Sequence, residues 1–204
     1  MKSDLIDSVV LISLAEQVGG VFSLTELSAL FQISNPLLLN RKIKGFIVAG
    51  ALRRYCRGIY VVQEFSPEVL AQKVRPRSYI SLGSALARHR MIGTEPRFQV
   101  SSLDTSPAAE FKGEPILSFG QVSESMLFGF DILDKGIRVA DPEKALLDTL
   151  YFHLKGRRYF FQLFNDVSVD RIDRVKYESY LTRFQNPKFV AFAKRYLDGV
   201  FSDD

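Results

Sequence analysis

Ser23-Leu-Thr-Glu-Leu-Ser-Ala-Leu-Phe31, followed by Gln32-Ile-Ser34 and then Asn35-Pro-Leu-Leu-Leu-Asn-Arg-Lys-Ile-Lys-Gly-Phe-Ile-Val-Ala49, is the stretch that decides the fold. Ser23 and Glu26 have the Ser-x-x-Glu spacing of a capping box, where hydroxyl and carboxylate each satisfy a free amide at a helix start. Leu24, Leu27, Leu30 and Phe31 then line one face of a short helix. Asn35-Pro36 marks a second start, a cap residue with proline at the first helical position, for a helix reaching about Ala49. Two helices joined by a three-residue turn predict a helix-turn-helix.

The second of these helices sorts its residues onto two faces. Leu39, Ile43, Phe46 and Ile47 fall at i, i+4, i+7 and i+8 and are expected to pack inward. Leu37, Asn40, Arg41 and Lys44 fall on the opposite side, near the helix start. An amide and two cations there are the equipment for entering a major groove and touching base edges and phosphates.

Working outward, residues 4–18 carry apolar side chains at 5, 6, 9, 10, 12 and 14 and stop at Gly19-Gly20, which predicts a preceding helix. After Gly50, Ala51-Leu-Arg-Arg-Tyr-Cys-Arg-Gly-Ile-Tyr-Val-Val62 reads as two short strands turning near Cys56 to Gly58. A hairpin directly after a recognition helix is a wing, and Arg53, Arg54 and Arg57 on it are placed to reach phosphates. The expected first domain is thus a winged helix-turn-helix over residues 1–62. Its candidate DNA-binding residues are Asn35, Leu37, Asn40, Arg41, Lys42, Lys44, Arg53, Arg54 and Arg57.

Charge agrees with that assignment once it is divided along the chain. The 204 residues sum to only +4, but residues 1–62 and 151–204 each carry +3 and residues 63–150 carry −2. No Asp or Glu occurs in the 37 residues between Glu26 and Glu64, where Arg41, Lys42, Lys44, Arg53, Arg54 and Arg57 all fall. An acid-free basic window is the electrostatic footprint expected of a phosphate-binding surface. The competing use of the same module is docking a protein partner without DNA.

The composition, 47% hydrophobic and 25% charged, is that of a globular protein and excludes disordered, collagenous and coiled-coil classes. One cysteine, Cys56, forms no internal disulfide and builds no multi-thiolate zinc site, so a cytoplasmic location is the default expectation. The apolar run Val9 to Ile12 is too short for a membrane span and lacks the pattern of a signal peptide.

Residues 63–204 read as a mixed α/β domain ending in helices, which makes the whole chain α+β. Expected strands are Arg75 to Leu82, Arg97 to Ser102, Pro115 to Phe119, Met126 to Phe130 and Gly136 to Ala140. Expected helices are Ser84 to Met91, Pro142 to Leu154, Arg157 to Asn165, Asp173 to Phe184 and Pro187 to Leu197. Asp141, Glu143, Lys144 and Asp148 have the residue types of a metal-dependent nuclease, yet Asp141 suits a helix cap and Asp148 lies two turns further on. His89 and His153 have no ligand-type residue at metal spacing. No phosphate loop, nucleophile elbow or His-Glu-x-x-His motif occurs, so neither enzyme activity, nor a metal, nor a cofactor is expected. Lys73, Arg75 and Arg77, and separately Arg88 and Arg90, form two further basic groups, candidates for a partner or nucleic-acid surface. Phe160, Phe161, Phe164, Tyr177, Tyr180, Phe184, Phe189, Phe192 and Tyr196 give the C-terminal part an aromatic surplus expected to be core, or else a protein-facing surface.

Val21-Phe-Ser-Leu-Thr-Glu-Leu27, Ile33-Ser34, Gly50-Ala-Leu-Arg-Arg54 and Arg57-Gly-Ile-Tyr60 together resemble the N-terminal winged helix of the AbiEi-type antitoxins, regulators of type IV toxin–antitoxin and abortive-infection systems. Tyr79-Ile-Ser-Leu-Gly-Ser-Ala-Leu-Ala87 and Gly136-Ile-Arg-Val-Ala-Asp-Pro-Glu-Lys-Ala-Leu-Leu-Asp148 resemble later motifs of that family. The likeness spans roughly residues 20–155. It implies a repressor that binds double-stranded DNA at the operator of its own operon and antagonises a nucleotidyltransferase-type toxin.

Overall fold

The computed structural model describes residues 2–93 and 98–201. They form two compact units, Met1–Pro76 with Asp134–Gly136, and Arg77–Leu133 with Ile137–Asp204. Eight α-helices and two β-sheets among the described residues make the chain a mixed α+β protein.

The first unit runs α1 (Lys2–Ala15), β1 (Val21–Ser23), α2 (Leu24–Phe31), α3 (Pro36–Val48), β2 (Arg53–Cys56), β3 (Ile59–Val61) and α4 (Pro67–Val74). The helices α2 and α3 begin where the capping signals place them. The strand β1 was not anticipated, and it turns the expected hairpin into a three-stranded antiparallel sheet of order β1-β3-β2. Phe22 and Tyr60 are cross-strand partners on the face that joins the helical core of Leu11, Leu27, Leu39, Ile43 and Phe46. The chain enters β1 through Gly20, whose φ is 72° and whose carbonyl accepts the Val62 amide at 3.0 Å. A Cβ there would stand 2.4 Å from the Glu64 carbonyl oxygen, so only glycine fits.

Two expected faces differ in the structure. On α1, Val9, Val10 and Ile12 are exposed, while Leu11 and Ala15, one turn apart, make the buried contact; the side chains of Leu5 and Ile6 lie outside the described set. A helix apolar on all sides does not announce its inner face. On α3, Leu39, Ile43 and Phe46 are buried as expected, but Ile47 is exposed because it lies on the border between the two faces.

The helix α4 was not anticipated either, although Ser66 caps it and Pro67 opens it in the same manner as Asn35-Pro36 opens α3. It packs on β1 and brings residues up to Pro76 into the first unit.

The second unit contains β4 (Tyr79–Ile80), α5 (Leu82–Arg88), β5 (Gln99–Asp104), β6 (Ala109–Phe111), β7 (Ile116–Gln121), β8 (Phe130–Ile132), β9 (Arg138–Ala140), α6 (Pro142–Leu154), α7 (Arg174–Leu181) and α8 (Pro187–Phe201). The six strands form one mixed sheet of order β6-β7-β5-β4-β9-β8, parallel at β7-β5 and β4-β9 and antiparallel elsewhere. The helix α6 has the expected bounds, fixed by the Asp141 cap and Pro142.

Four expectations need correction here. The strand expected from Arg75 to Leu82 shrinks to Tyr79–Ile80, since Pro76 precedes it and Leu82 already turns into α5 with φ 55°. The next expected strand opens at Gln99 within the described residues, and Arg97 lies outside them. Met126 closes a 3-10 turn, so the strand moves on to Phe130–Ile132. Residues 157–165 form no helix: Tyr159 donates to the Thr149 carbonyl and the Gln162 amide to Asp166, which satisfies the segment as an irregular loop.

Candidate nucleic-acid interface

The candidate interface is built from α2, α3 and the β2-β3 hairpin. The capping box forms as expected: the Ser23 amide donates to Glu26 Oε2 at 2.7 Å, and the Glu26 amide donates to Ser23 Oγ at 3.2 Å. Gln32 ends α2 in the left-handed region, φ 54°, and the Ser28 hydroxyl donates to the Ile33 carbonyl at 2.8 Å, which closes the turn. Asn35 then caps α3 through Oδ1, which accepts the Leu37 amide at 2.9 Å. Its carbonyl-type oxygen is thereby committed to the helix, leaving the amide nitrogen for any outside contact.

Phe31 of α2 and Phe46 of α3 stack with centroids 5.2 Å apart, and Lys42 Nζ lies 4.3 Å above the Phe31 ring. Lys42 is therefore half-buried over the inter-helix seam, whereas Asn40, Arg41 and Lys44 are exposed. Leu37 is 80% exposed at the start of the outer face and Val48 81% exposed at its end. Leu37, Arg41, Lys44 and Val48 thus form a continuous outward stripe about 16 Å long. Val48 belongs to this stripe and is not among the candidate residues, which were chosen near the helix start. The i, i+4, i+7, i+11 spacing of the stripe was the signal that identifies Val48.

The hairpin turns at Arg57-Gly58, and the Leu24 amide at the head of α2 donates to the Gly58 carbonyl at 2.8 Å. That bond fixes the hairpin tip against α2. Arg53, Arg54 and Arg57 are all exposed. Arg54 pairs across the ladder with Tyr60, so it shares the sheet face of the helical core; its Nε donates to the Cys56 carbonyl at 3.3 Å. Arg53, opposite Val61, takes the other face, with its guanidinium 5.8 Å from the Phe65 ring. Burial pushes the Cys56 thiol up, against a smaller opposing effect of Arg54, so the group is protonated near neutral pH and poorly suited to nucleophilic or redox work.

The remaining basic candidates divide between the two units. Lys73 is only 20% exposed at its side chain: Nζ donates to Glu26 and to the Val21 carbonyl, so it braces the first unit from within. Arg75 follows α4 as its C-cap. In the second unit Arg77 pairs with Glu124 at 2.8 Å, and Arg88 and Arg90 are exposed on either side of His89, whose Nε2 lies 2.7 Å from the Ala140 carbonyl.

The carboxylates of the second unit have other work. Asp141 caps α6 through Oδ1, while Oδ2 accepts from Tyr180 and meets Lys176 at 3.1 Å. Glu143 takes the Asp173 amide and a second contact with Lys176. Asp148 and Lys144 form an ion pair with neither side chain exposed, and Tyr79 and Ser81 donate to the other oxygen of Asp148 at 3.0 and 2.8 Å. Lys144 is enclosed by the rings of Tyr79, Phe128 and Phe184. Burial lowers the Lys144 pKa, partly offset by Asp148. The oxygens of Asp141 and Asp148 each face a donor or cation, while Glu143 Oε2 meets only the partly exposed Lys176 ammonium; the Asp148 bonds hold β4 against α6. The aromatic surplus is mostly core, with Phe160 and Phe164 the exceptions at 55% and 59% exposed.

No helix among the described residues is long and apolar enough to cross a membrane. No protein-family model matches the chain. No curated protein matches it. Among solved structures, the chain is similar to the RV2827C protein from Mycobacterium tuberculosis, with a TM-score of 0.63 and 14% identity over 93% of this chain and 75% of that one. At that identity the likeness is one of fold.

Proposed function

We propose that the first unit is a winged helix-turn-helix that binds double-stranded DNA, and that the protein is a transcriptional repressor acting at the operator of its own operon. The order α1-β1-α2-α3-β2-β3 with a β1-β3-β2 sheet supports that assignment. The observation that carries it is the outer face of α3, where Arg41 and Lys44 stand exposed with no ion-pair partner among the described residues, within a window that contains no acid. Arg54 and Arg57 on the adjoining hairpin extend the same sign of charge. Such a surface attracts phosphate over a Debye length of about 8 to 10 Å and offers a helix of the right width for a major groove.

The role as antitoxin of a type IV pair rests on the resemblance of residues 79–87 and 136–148 to the AbiEi family. In the fold these segments are β4 with α5, and β9 with α6. If it holds, co-expression relieves growth arrest by a nucleotidyltransferase encoded beside the gene.

A second reading is favoured by Leu37 and Val48, two large apolar residues exposed on the same face: α3 docks a protein instead of DNA. Titration of a labelled duplex from upstream of the gene separates the two. DNA binding that weakens steeply with salt supports the first, and a blank titration beside recovery of a partner protein supports the second.

A further inference from the structure

Two stretches of the second unit contain no acid. Between Asp148 and Asp166 lie 17 residues with Lys155, Arg157 and Arg158 and six Phe or Tyr, and between Glu178 and Asp198 lie 19 residues with Arg183, Lys188, Lys194 and Arg195. None of these cations has an ion-pair partner among the described residues. The acids that bound the stretches are all engaged: Asp148 with Lys144, Asp166 with the Gln162 amide at 2.7 Å, and both Glu178 and Asp198 with Arg174.

The fold joins the two stretches at one ring. Phe164, 59% exposed, lies 5.7 Å from His153 of α6 and 6.4 Å from Phe192 of α8, centroid to centroid. Both neighbours stand nearly perpendicular to it, at 86° and 83°, and are themselves stacked at 13°. They support the ring while more than half of it stays in solvent. On α8, Lys188 and Arg195 lie within about 20° of one another around the helix, one turn before Phe192 and one turn after it. Both are exposed. A large apolar ring left in solvent marks a contact surface, and unopposed cations on both stretches specify a polyanion as its partner.

We propose that Phe164 is a stacking platform for a base of single-stranded RNA, and that Lys188 and Arg195 take phosphates of the same strand. The assignment stands apart from the DNA reading of α3. Ring and cations together select a single-stranded nucleic acid: every base has a π-face that stacks on an aromatic ring, and the backbone supplies the charge, whereas a duplex keeps its bases stacked on one another. An acidic protein segment satisfies the cations but gives the ring no flat partner. RNA is the source because its loops and ends stand with bases unstacked and open, while DNA presents them only when the duplex is opened.

The test uses the full chain carrying Arg41→Glu with Lys44→Glu, which removes the α3 face from the readout, titrated into a short labelled oligouridylate RNA. In that background Phe164→Ala weakens binding about five- to a hundredfold, the range for one base stacked on one ring, and Phe164→Tyr keeps it within about twofold. Lys188→Gln with Arg195→Gln flattens the slope of log affinity against log salt by about 1.4, or about 0.7 for each phosphate of a single strand. The same RNA annealed to its complement binds more weakly, and Phe98→Ala, at a ring 76% exposed outside both stretches, leaves binding unchanged. Circular dichroism confirms that each variant is folded, and the exposed cation pair carries the test if Phe164→Ala is not. A chain that binds no RNA overturns the inference, as does binding by folded Phe164→Ala equal to that of its background. A duplex bound as tightly as the single strand, or an equal loss in Phe98→Ala, overturns it too. Tighter binding of the equivalent DNA strand overturns RNA as the source, and displacement of the RNA by poly-glutamate at equal charge overturns the inference in favour of an acidic protein partner. None of these outcomes touches the α3 face, which duplex DNA titrated with the parent tests separately.

Discussion

Lys73 Nζ on α4 donates to both carboxylate oxygens of Glu26 on α2, at 2.7 and 2.8 Å. Glu26 is the acid that closes the basic window from the N-terminal side, and its charge is compensated from behind by a lysine 47 residues away. The same carboxylate completes the capping box of α2, so one side chain starts the helix, anchors α4 and leaves the outer face of α3 without an opposing charge.

That arrangement sets an acid limit for the first unit. Burial works to raise the Glu26 pKa, but the hydrogen bonds from Lys73 and from Ser23 outweigh it and hold the carboxyl below its usual range. A depressed carboxylate adds stability above its unfolded pKa of about 4.3, and that stability is lost as pH falls through the lower, folded value. Thermal melts from pH 7 down to pH 3 should show the parent approaching Glu26→Gln at the acid end, with a difference on the order of 1 kcal/mol at neutral pH. Parallel curves across the whole range would contradict the linkage.

The buried pair Lys144–Asp148 has the opposite exposure and larger stakes. Replacing either partner alone leaves an unpaired charge in a closed site, at a cost of about 3 to 5 kcal/mol. Asp148→Ala and Lys144→Met should each lower the melting temperature sharply, whereas the double replacement Lys144→Met with Asp148→Leu should recover most of the loss. Tyr79→Phe removes the hydroxyl that donates to Asp148 and accepts from Lys144, and should cost about 1 to 3 kcal/mol. If Asp148→Asn left stability intact and removed a Mg²⁺-dependent cleavage activity of the parent, the cluster would be a nuclease centre and not a brace.

Leu37 offers a test of the exposed face that stability cannot confuse. At 80% exposure, Leu37→Ala should change stability by less than about 0.5 kcal/mol. On DNA an apolar side chain at the start of a recognition helix packs against thymine methyl groups, and its loss should lower affinity for the operator more than for unrelated DNA. Equal losses on both duplexes, or none, would show that Leu37 does not face the bases.

The starts of α2 and α3 were legible because their signals are local: Ser23 with Glu26, Asn35 with Pro36, and a helical period long enough to sort faces. Sequence reasoning missed β1 because three residues carry too little pattern, and the strand exists only through its pairing with β3. It missed the true role of Lys73 because the partner that buries it is Glu26, far away in the chain. The aromatic run from Phe160 to Phe164 looks helical by composition, but the Gln162 amide donates to Asp166 and the neighbouring Tyr159 hydroxyl to the Thr149 carbonyl, and no period reports such bonds.

The cations of the face should also be countable. Each phosphate contact contributes about 0.9 to the slope of log affinity against log salt, so Lys44→Ala and Arg57→Ala should each flatten that slope by about one unit if each holds a phosphate. A variant that weakens binding with the slope unchanged acts by some other contact.

The most direct measurement is a fluorescence-anisotropy titration of a duplex from upstream of the gene, at several salt concentrations, with the parent and with Arg41→Glu combined with Lys44→Glu. Tight, salt-sensitive binding by the parent and its loss in the folded double variant are the expected results. Equal binding by the two proteins would contradict the assignment of α3 as the DNA-reading helix.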